Sequence, residues 1–448
     1  MGRKVRLSVV SLLKMKKYRL VIVLGILAVF YYIFLQTYHS QYAYWWKVQE
    51  IRLQHSFAQN KNAKADIVFV VPDLIRTGAQ MMLLRLTQML KQRDYNVMVI
   101  YRNFPILADE FHKANVPIMR VKMTKENHKF YLKFLKDNFD LAITSCDEIL
   151  FEHSKINQNM PTIWWAHKVN DLLDDFSEWS DGPVVSQDEW YFNPLETLKS
   201  SDIVTVSNLA RRSVLETGVP PESVSVIING IGAQEIIESE KTPSSDLYQQ
   251  LEAAKENKKM MFIFVGRAVR DKGIHILAEA IASLPEEYAQ KVLVYFIGKN
   301  DMPFAELMME KYAGVENIIW VGEQKQNTLW DYYRAADVMV VPSIHADAAP
   351  CVVAEAAMYH MPSIITENVG SDYLVQDGKS GFIIASDDVE ALREKLIWAI
   401  DHRKEVKKMG KAAYQKFLQT SMPQVFLQKW EEKIQQKLQE SKNQRKSQ

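Results

Sequence analysis

Short apolar runs rich in β-branched residues alternate along this sequence with segments of helical periodicity, and this alternation constrains the fold more than any other feature. In the first half of the chain the pattern predicts strands at residues 66–71, 96–101, 117–121, 140–145, 162–167, 202–207 and 223–228. Most are separated by helix-length segments such as residues 78–93, where Met82, Leu86 and Leu90 share one face. Such alternation is typical of a parallel sheet covered by helices.

The alternation stops at residues 234–259, which are charged and rich in turn formers, and then begins again. The second series predicts strands at 260–266, 291–298, 317–322, 337–343 and 362–366, and a last helix at about 424–437. We therefore predict an α/β chain with doubly wound domains at 65–233 and 260–417, a linker at 234–259, and a C-terminal helix and polar tail at 418–448. Two such sheets would face a cleft at the carboxyl ends of their strands, where ligands bind.

The N-terminal region predicts membrane attachment. Residues 20–38 contain no charged side chain, and their number is close to the roughly 20 residues that span a bilayer. They follow a basic segment, residues 1–19, which has seven Lys or Arg and no acidic residue. A cleaved signal peptide is the alternative, but no small-residue cleavage site follows the apolar run. We expect an uncleaved anchor helix at 20–38 and a spacer at 39–64, in which Trp45 and Trp46 supply interfacial aromatic rings.

Two features of the sequence disagree about the side of the membrane on which the body lies. The basic residues favour a cytoplasmic N-terminus, and one crossing would then place the body on the far side. The sequence has only two cysteines, Cys146 and Cys351, and no Asn-x-Ser/Thr acceptor, which favours a cytoplasmic body. A segment that enters the membrane without crossing it satisfies both observations. On that basis we expect a body tethered at the cytoplasmic face.

The charge balance excludes one class of partner. Lys and Arg number 55 against 54 for Asp and Glu, so the net charge of +1 gives no electrostatic reason to expect nucleic acid. The two cysteines are too few for a disulfide framework or a zinc-ligand cluster.

Two cations stand in a loop of the second series. The stretch "FVGRAVRDKG", residues 264–273, leads from an apolar strand into a helix, and it carries Arg267 and Lys272. A guanidinium fork and an ammonium, backed by helix amides, suit a diphosphate. The alternative is a pair of solvated loop cations.

Two carboxylates stand eight residues apart in the stretch "VPSIHADAAPCVVAEAAMYHMPSIIT", residues 341–366. Asp347 falls in the loop after a strand, and Pro350 suits the first position of the following helix. Glu355 falls inside that helix among apolar neighbours, and a buried carboxylate needs partners. The two hydroxyls of a ribose would satisfy Glu355, and Asp347 could hold hydroxyls of a sugar. Alternatively, Glu355 pairs with a structural Arg or Lys.

Together these motifs resemble retaining glycosyltransferase family 4, which has the GT-B fold of two Rossmann-like domains. The resemblance covers residues 66–417 and includes "VVPDLIRTGAQMMLLRLTQML", "TIWWAHKVND" and "MPSIITENVGSDYLVQDGKSGF". It implies that Gly78 approaches the donor phosphate and that His167 meets the donor sugar. It also implies that the helix amides of Cys351 and Val352 contact the donor phosphate. The catalytic residues would be His167, Arg267, Lys272 and Glu355. Glu355 would also bind the donor, together with Asp347.

The resemblance implies transfer of a hexose-type sugar from a UDP- or GDP-sugar to a glycan or lipid-linked acceptor hydroxyl, with retention of configuration. It implies no metal and no cofactor beyond the nucleotide-sugar co-substrate, with the membrane as a further partner. The chain departs from the family pattern at Asp347, which replaces a Glu, at Pro350, which has no amide hydrogen, and at Gly370 and Tyr373. Other readings are a sugar-nucleotide epimerase, an inverting transferase of the same fold and a non-catalytic membrane-bound scaffold. A nicotinamide dehydrogenase would need a G-x-G-x-x-G stretch where this chain has one glycine.

Overall fold

The computed structural model describes residues 43–57, 60–168, 193–232, 236, 241, 245–255 and 259–447. The predicted basic segment and the predicted anchor at 20–38 lie outside these residues. None of the helices in the described ranges is both long enough and apolar enough to cross a membrane. By its internal contacts the chain divides into a smaller unit, residues 1–62 and 123–138, and a larger unit, residues 63–122 and 139–448.

The strands of the described residues all belong to the larger unit. They are β1 (Asp66–Val71), β2 (Asn96–Tyr101), β3 (Ile118–Arg120), β4 (Leu141–Ser145), β5 (Thr162–Ala166), β6 (Asp202–Thr205), β7 (Val224–Val226), β8 (Met260–Val265), β9 (Val292–Ile297), β10 (Ile318–Gly322), β11 (Val338–Val341), β12 (Ser363–Thr366) and β13 (Gly381–Ile384).

One of the described helices precedes these strands, and the others lie between and after them. They are α1 (43–57), α2 (Gly78–Gln92), α3 (Ala108–Lys113), α4 (His128–Asn138), α5 (Leu150–Asn157), α6 (Pro194–Lys199), α7 (Asn208–Glu216), α8 (Asp246–Ala254), α9 (Ile274–Ala282), α10 (Glu286–Ala289), α11 (Phe304–Lys311), α12 (Gln326–Ala335), α13 (Cys351–Met358), α14 (Val389–Asp401), α15 (Arg403–Thr420) and α16 (Pro423–Ser447). Short 3-10 turns lie at Asp147–Ile149, Pro221–Ser223 and Arg270–Lys272.

The smaller unit contains α1 and α4. The Trp46 side chain of α1 is 5% exposed, and its ring centroid lies 5.1 Å from that of Phe134 and 5.9 Å from that of Tyr131. The segment predicted as a spacer is therefore partly a helix. Trp46, which was expected at a membrane interface, is instead buried against aromatic rings of α4, because a ring of this size gains more by burial than by exposure.

The larger unit contains two parallel sheets. Their strand orders are β3-β2-β1-β4-β5-β6-β7 and β10-β9-β8-β11-β12-β13, and every pairing between neighbours is parallel. Helices cover the strands, which explains why most of the central strands are continuous apolar runs rather than alternating ones. The predicted α/β class with two doubly wound domains is confirmed.

All twelve predicted strands are present, but several end earlier than the apolar pattern suggests. β5 ends at Ala166 and β8 at Val265, so His167 and Gly266 lie just beyond the carboxyl ends of their strands. The structure adds β13, a four-residue edge strand that pairs with β12.

Two helices extend the cores beyond the predicted domain limits. α8 lies within the segment predicted as a linker, and its Leu251 is 4% exposed in the core of the second sheet. α16 repeats apolar residues every four positions, and its Phe426, Trp430 and Ile434 are buried in the core of the first sheet. The chain therefore returns after the second sheet to complete the core of the first.

Candidate functional site

A cavity of about 360 Å³ opens between the two sheets of the larger unit. Its walls come from loops that follow the carboxyl ends of β1, β5, β6, β7, β8 and β11. They include Gly78, His167, Asn229, Lys272, Asp347, Cys351 and Val352. This is the place where doubly wound sheets bind ligands, and the volume lies in the range of small-molecule sites.

Gly78 forms one wall as the first residue of α2. The preceding Thr77 has the extended backbone of an N-cap, but its side chain makes no capping hydrogen bond to the helix. A Cβ built on Gly78 would find no atom within 4 Å. The wall is therefore open at this point, and a ligand can approach the backbone at the start of the helix.

His167 and Asn229 bring polar atoms to the cavity from the first domain. The Nε2 atom of His167 and the Oδ1 atom of Asn229 are buried, and neither has a hydrogen-bond partner within the described residues. Burial lowers the pKa of His167 to about 3, so the ring is neutral at physiological pH. Because buried polar atoms without partners are costly, both atoms are suited to a polar ligand.

Lys272 and Asp347 face each other across the second-domain side of the cavity. The Lys272 Nζ atom donates a hydrogen bond to the Asp347 Oδ2 atom in an ion pair, and the two side chains are 29% and 17% exposed. We expected Lys272 to meet a diphosphate and Asp347 to meet a sugar. Without ligand the two residues neutralise each other, so a diphosphate must compete with Asp347 for the ammonium.

Asp347 is held in place by the segment after β12. Its amide donates to the Asn368 carbonyl over 2.8 Å, and the Gly370 amide donates to the Asp347 carbonyl over 2.8 Å. A Cβ on Gly370 would lie 1.9 Å from the Ala348 carbonyl oxygen and 2.5 Å from the Ser207 Oγ atom. Glycine is required here because a Cβ would clash first with the Ala348 carbonyl oxygen and then with the Ser207 side chain of the first domain.

α13 presents its first turn to the cavity. Pro350 is its N-cap rather than its first helical residue, so the helix begins at Cys351. The backbone amides of Cys351 and Val352 both carry a hydrogen, which Pro350 lacks. Glu355 lies one turn further along the helix and is not part of the cavity wall. One of its carboxylate oxygens accepts a hydrogen bond of 2.7 Å from the Tyr333 phenol, whose pKa burial raises well above its usual range.

Arg267 is placed differently from the expectation. Its side chain is 66% exposed and pairs with Asp301 over 3.3 Å, whereas the preceding Gly266 lines the cavity. Among the described residues, no group of three or more His, Cys, Asp or Glu side chains is arranged to hold a metal ion.

Three residues of the site were missed at the level of sequence. Asn229 stands in "IINGI" directly after a predicted strand, and that position could have identified it. Tyr333 and Asp301 could not be identified, because each meets its partner only through the folding of separate elements.

Comparison with known families identifies the second domain. Residues 249–416 match the family model described as glycosyl transferases group 1. This segment is similar to the group 1 glycosyltransferases. The matched range contains Arg267, Lys272, Asp347, Cys351, Val352 and Glu355.

Relatives of the segment include two bacterial glycosyltransferases. The lipopolysaccharide glucosyltransferase WaaG of Escherichia coli K12 is 28% identical over 148 residues, which are 33% of this chain and 38% of WaaG. The D-inositol 3-phosphate glycosyltransferase of Corynebacterium jeikeium is 30% identical over 132 residues, 28% of this chain and 31% of that protein. The matched segments thus span less than half of these relatives.

The whole fold resembles solved structures of the same kind. A structure of Anabaena HepE in complex with UDP superposes with a TM-score of 0.70 over 83% of this chain and 100% of HepE, at 15% identity. A WaaG structure superposes with a TM-score of 0.59 over 80% of this chain and 97% of WaaG, at 18% identity. The recognition as a group 1 glycosyltransferase and the GT-B fold are confirmed. The roles of individual site residues stay predictions.

Proposed function

We propose that the chain transfers a hexose-type sugar from a UDP- or GDP-sugar to a hydroxyl of a glycan or lipid-linked acceptor, with retention of configuration and without a metal ion. The observation that carries this proposal is the cavity between the two sheets. It combines a cation, helix-start amides and a carboxylate from the second domain with open backbone and unpartnered polar atoms from the first.

The diphosphate suits the second-domain wall. Lys272 and the amides that begin α13 face one cavity, and cations and helix-start amides both favour the charge that develops on a leaving diphosphate. Arg267 could join them by leaving its exposed pair with Asp301, since exposed pairs are weak. Glu355, oriented by Tyr333, would accept hydrogen bonds from the ribose hydroxyls.

The sugar suits the polar atoms opposite. Neutral His167 and Asn229 can exchange hydrogen bonds with hydroxyls, and Asp347, once released from Lys272, can accept one. In this proposal the acceptor hydroxyl attacks the front face of the sugar carbon, the bond from that carbon to the donor phosphate oxygen breaks, and the same phosphate takes the proton of the hydroxyl. No side chain is then needed as general base.

The relatives support a nucleotide-sugar donor. HepE has been solved with UDP, with UDP and glucose, and with UDP-glucose. WaaG is described as a lipopolysaccharide glucosyltransferase. The apolar run at 20–38 supports a membrane-tethered enzyme, and we propose that it acts at the cytoplasmic face on a membrane-proximal acceptor.

Binding tests the proposal before any acceptor is known. The purified full-length chain is screened by thermal shift against UDP, GDP and their common sugars, with excess chelator present. We expect one nucleotide series to raise the midpoint, and Lys272→Ala to weaken that binding by about 10 to 100-fold, as for loss of a charge-assisted hydrogen bond. An epimerase would convert the bound donor sugar without acceptor. A scaffold would bind no nucleotide sugar, and that result would refute the proposal.

A further inference from the structure

A second cavity, of about 420 Å³, lies at the opposite end of the second sheet. Met260 begins β8, Asp337 immediately precedes β11, and Pro362 immediately precedes β12, and all three line it. It is therefore at the amino ends of the strands, whereas the nucleotide-sugar cavity is at their carboxyl ends. The proposed reaction uses none of its residues.

Cations dominate the wall of this second cavity. Among the lining residues that the structure describes, one is a carboxylate and five are Lys or Arg: Lys255, Lys259, Arg334, Arg403 and Lys407. The carboxylate, Asp337, lies 3.5 Å from Lys255, and Arg334 pairs with Asp331 over 3.0 Å. Within the described part of the wall, these negative charges lie beside Lys255 and Arg334, whereas the ammonium groups of Lys259 and Lys407 are on the side formed by α15.

The start of α15 adds to this positive potential. Arg403 is its first residue and donates to the Lys259 carbonyl oxygen over 3.5 Å, which joins the two cationic positions. His402, the N-cap, makes no side-chain capping bond. Lys407 lies one turn further along and also lines the cavity. An uncapped helix start and several cations around one concave space are the features that hold an anion.

We propose that this second cavity is a binding site for a phosphate-bearing anion, separate from the donor site. Phosphate oxygens would accept hydrogen bonds from the Lys259 and Lys407 ammonium groups and from the first amides of α15. The phosphate could be a soluble phosphate ester or an anionic lipid headgroup, since both present the same oxygens.

The test measures phosphate binding by thermal shift on the full-length chain, with sodium chloride exchanged for sodium phosphate at constant ionic strength. The double variant Lys259→Ala, Lys407→Ala is compared with the control Lys404→Ala, Lys408→Ala, whose exposed lysines lie on α15 but do not line the cavity. We expect phosphate to bind the control as it binds wild type, and to bind the double variant at least about tenfold more weakly. If the double variant does not fold, Lys407→Glu replaces it, because that side chain is exposed.

Two further arms complete the test. The variant Lys272→Ala distinguishes the two cavities. If phosphate no longer raises the unfolding midpoint of Lys272→Ala but still raises that of the double variant, phosphate binds at the donor site only, and this result overturns the proposal. Soluble short-chain phosphatidylglycerol separates the sources. A shift with inorganic phosphate alone assigns a soluble ester, and a shift with the lipid alone assigns a headgroup. No shift with either probe in wild type also overturns the proposal.

Discussion

Asp347→Asn is the substitution for which the structure makes the sharpest prediction. In the unliganded chain Asp347 holds the Lys272 ammonium, so a diphosphate that binds Lys272 must first break this pair. A charge-assisted hydrogen bond contributes roughly 1.5 to 3 kcal/mol, and the partial exposure of both side chains places this pair near the lower value. Since about 1.4 kcal/mol corresponds to a factor of ten in Kd, the Asp347→Asn variant should bind the free nucleotide about tenfold more tightly than wild type.

The assay is calorimetric titration of UDP or GDP, whichever binds wild type, into the two proteins. The same substitution should lower sugar transfer, because the neutral amide oxygen accepts a hydrogen bond from a sugar hydroxyl more weakly than the carboxylate does. Asp301→Asn is the matched control: it frees Arg267 from an exposed pair, and such pairs contribute less than about 1 kcal/mol, so nucleotide affinity should change less than about fivefold. Unchanged or weaker nucleotide binding by Asp347→Asn would refute the competition between Asp347 and the diphosphate.

Three further predictions concern the same site. Gly78→Leu should abolish donor binding without lowering the unfolding midpoint, because a Cβ at this position meets no atom within 4 Å and the longer side chain can extend into the cavity. Donor binding at wild-type strength would contradict an approach of the donor to this backbone. Tyr333→Phe should cost about 1 to 3 kcal/mol in unfolding free energy and raise KM for the donor, because the hydrogen bond from the phenol to Glu355 is lost. Tyr332→Phe, whose phenol makes no hydrogen bond within the described residues, should change neither quantity. The pKa of His167 is about 3 when folded and 6.5 unfolded, so its contribution to stability is fully present above pH 6.5 and is lost as pH falls toward 3. Urea unfolding should therefore show that the free energy of unfolding of wild type falls between pH 6.5 and 5 more steeply than that of His167→Asn, by about 1.4 kcal/mol per pH unit. An equal fall in the two proteins would contradict a buried neutral ring.

Much of the fold could be predicted because its strands are buried on both faces. β1 and β9 are apolar over nearly their whole length, which is distinctive in a sequence, and the Gly-rich or charged loops after them mark where each strand ends. β13 could not be predicted, since Gly381–Ile384 becomes a strand only by pairing with β12. The position of α16 also could not be predicted, because its apolar spacing indicates a buried face but not which sheet that face packs against.

The site could be predicted where chemistry and chain position coincide. Lys272, Asp347 and Gly78 each follow a strand and all line one cavity. The pair between Lys272 and Asp347 was not foreseen, because residues 75 positions apart come together only in the folded loops. Glu355 was expected to need a partner, and one of its partners is a phenol on α12, which no pattern in the sequence indicates.

The central claim is that the cavity between the two sheets uses a nucleotide-diphosphate sugar. The most direct measurement is release of UDP or GDP from a panel of nucleotide sugars by the purified full-length chain, with membrane lipids and glycans supplied as acceptors. We expect acceptor-dependent release from one donor, and we expect it to be lost in Lys272→Ala and kept in the double variant Lys404→Ala, Lys408→Ala. Release that is equal in wild type and Lys272→Ala, or no release and no binding of any nucleotide sugar, would contradict it.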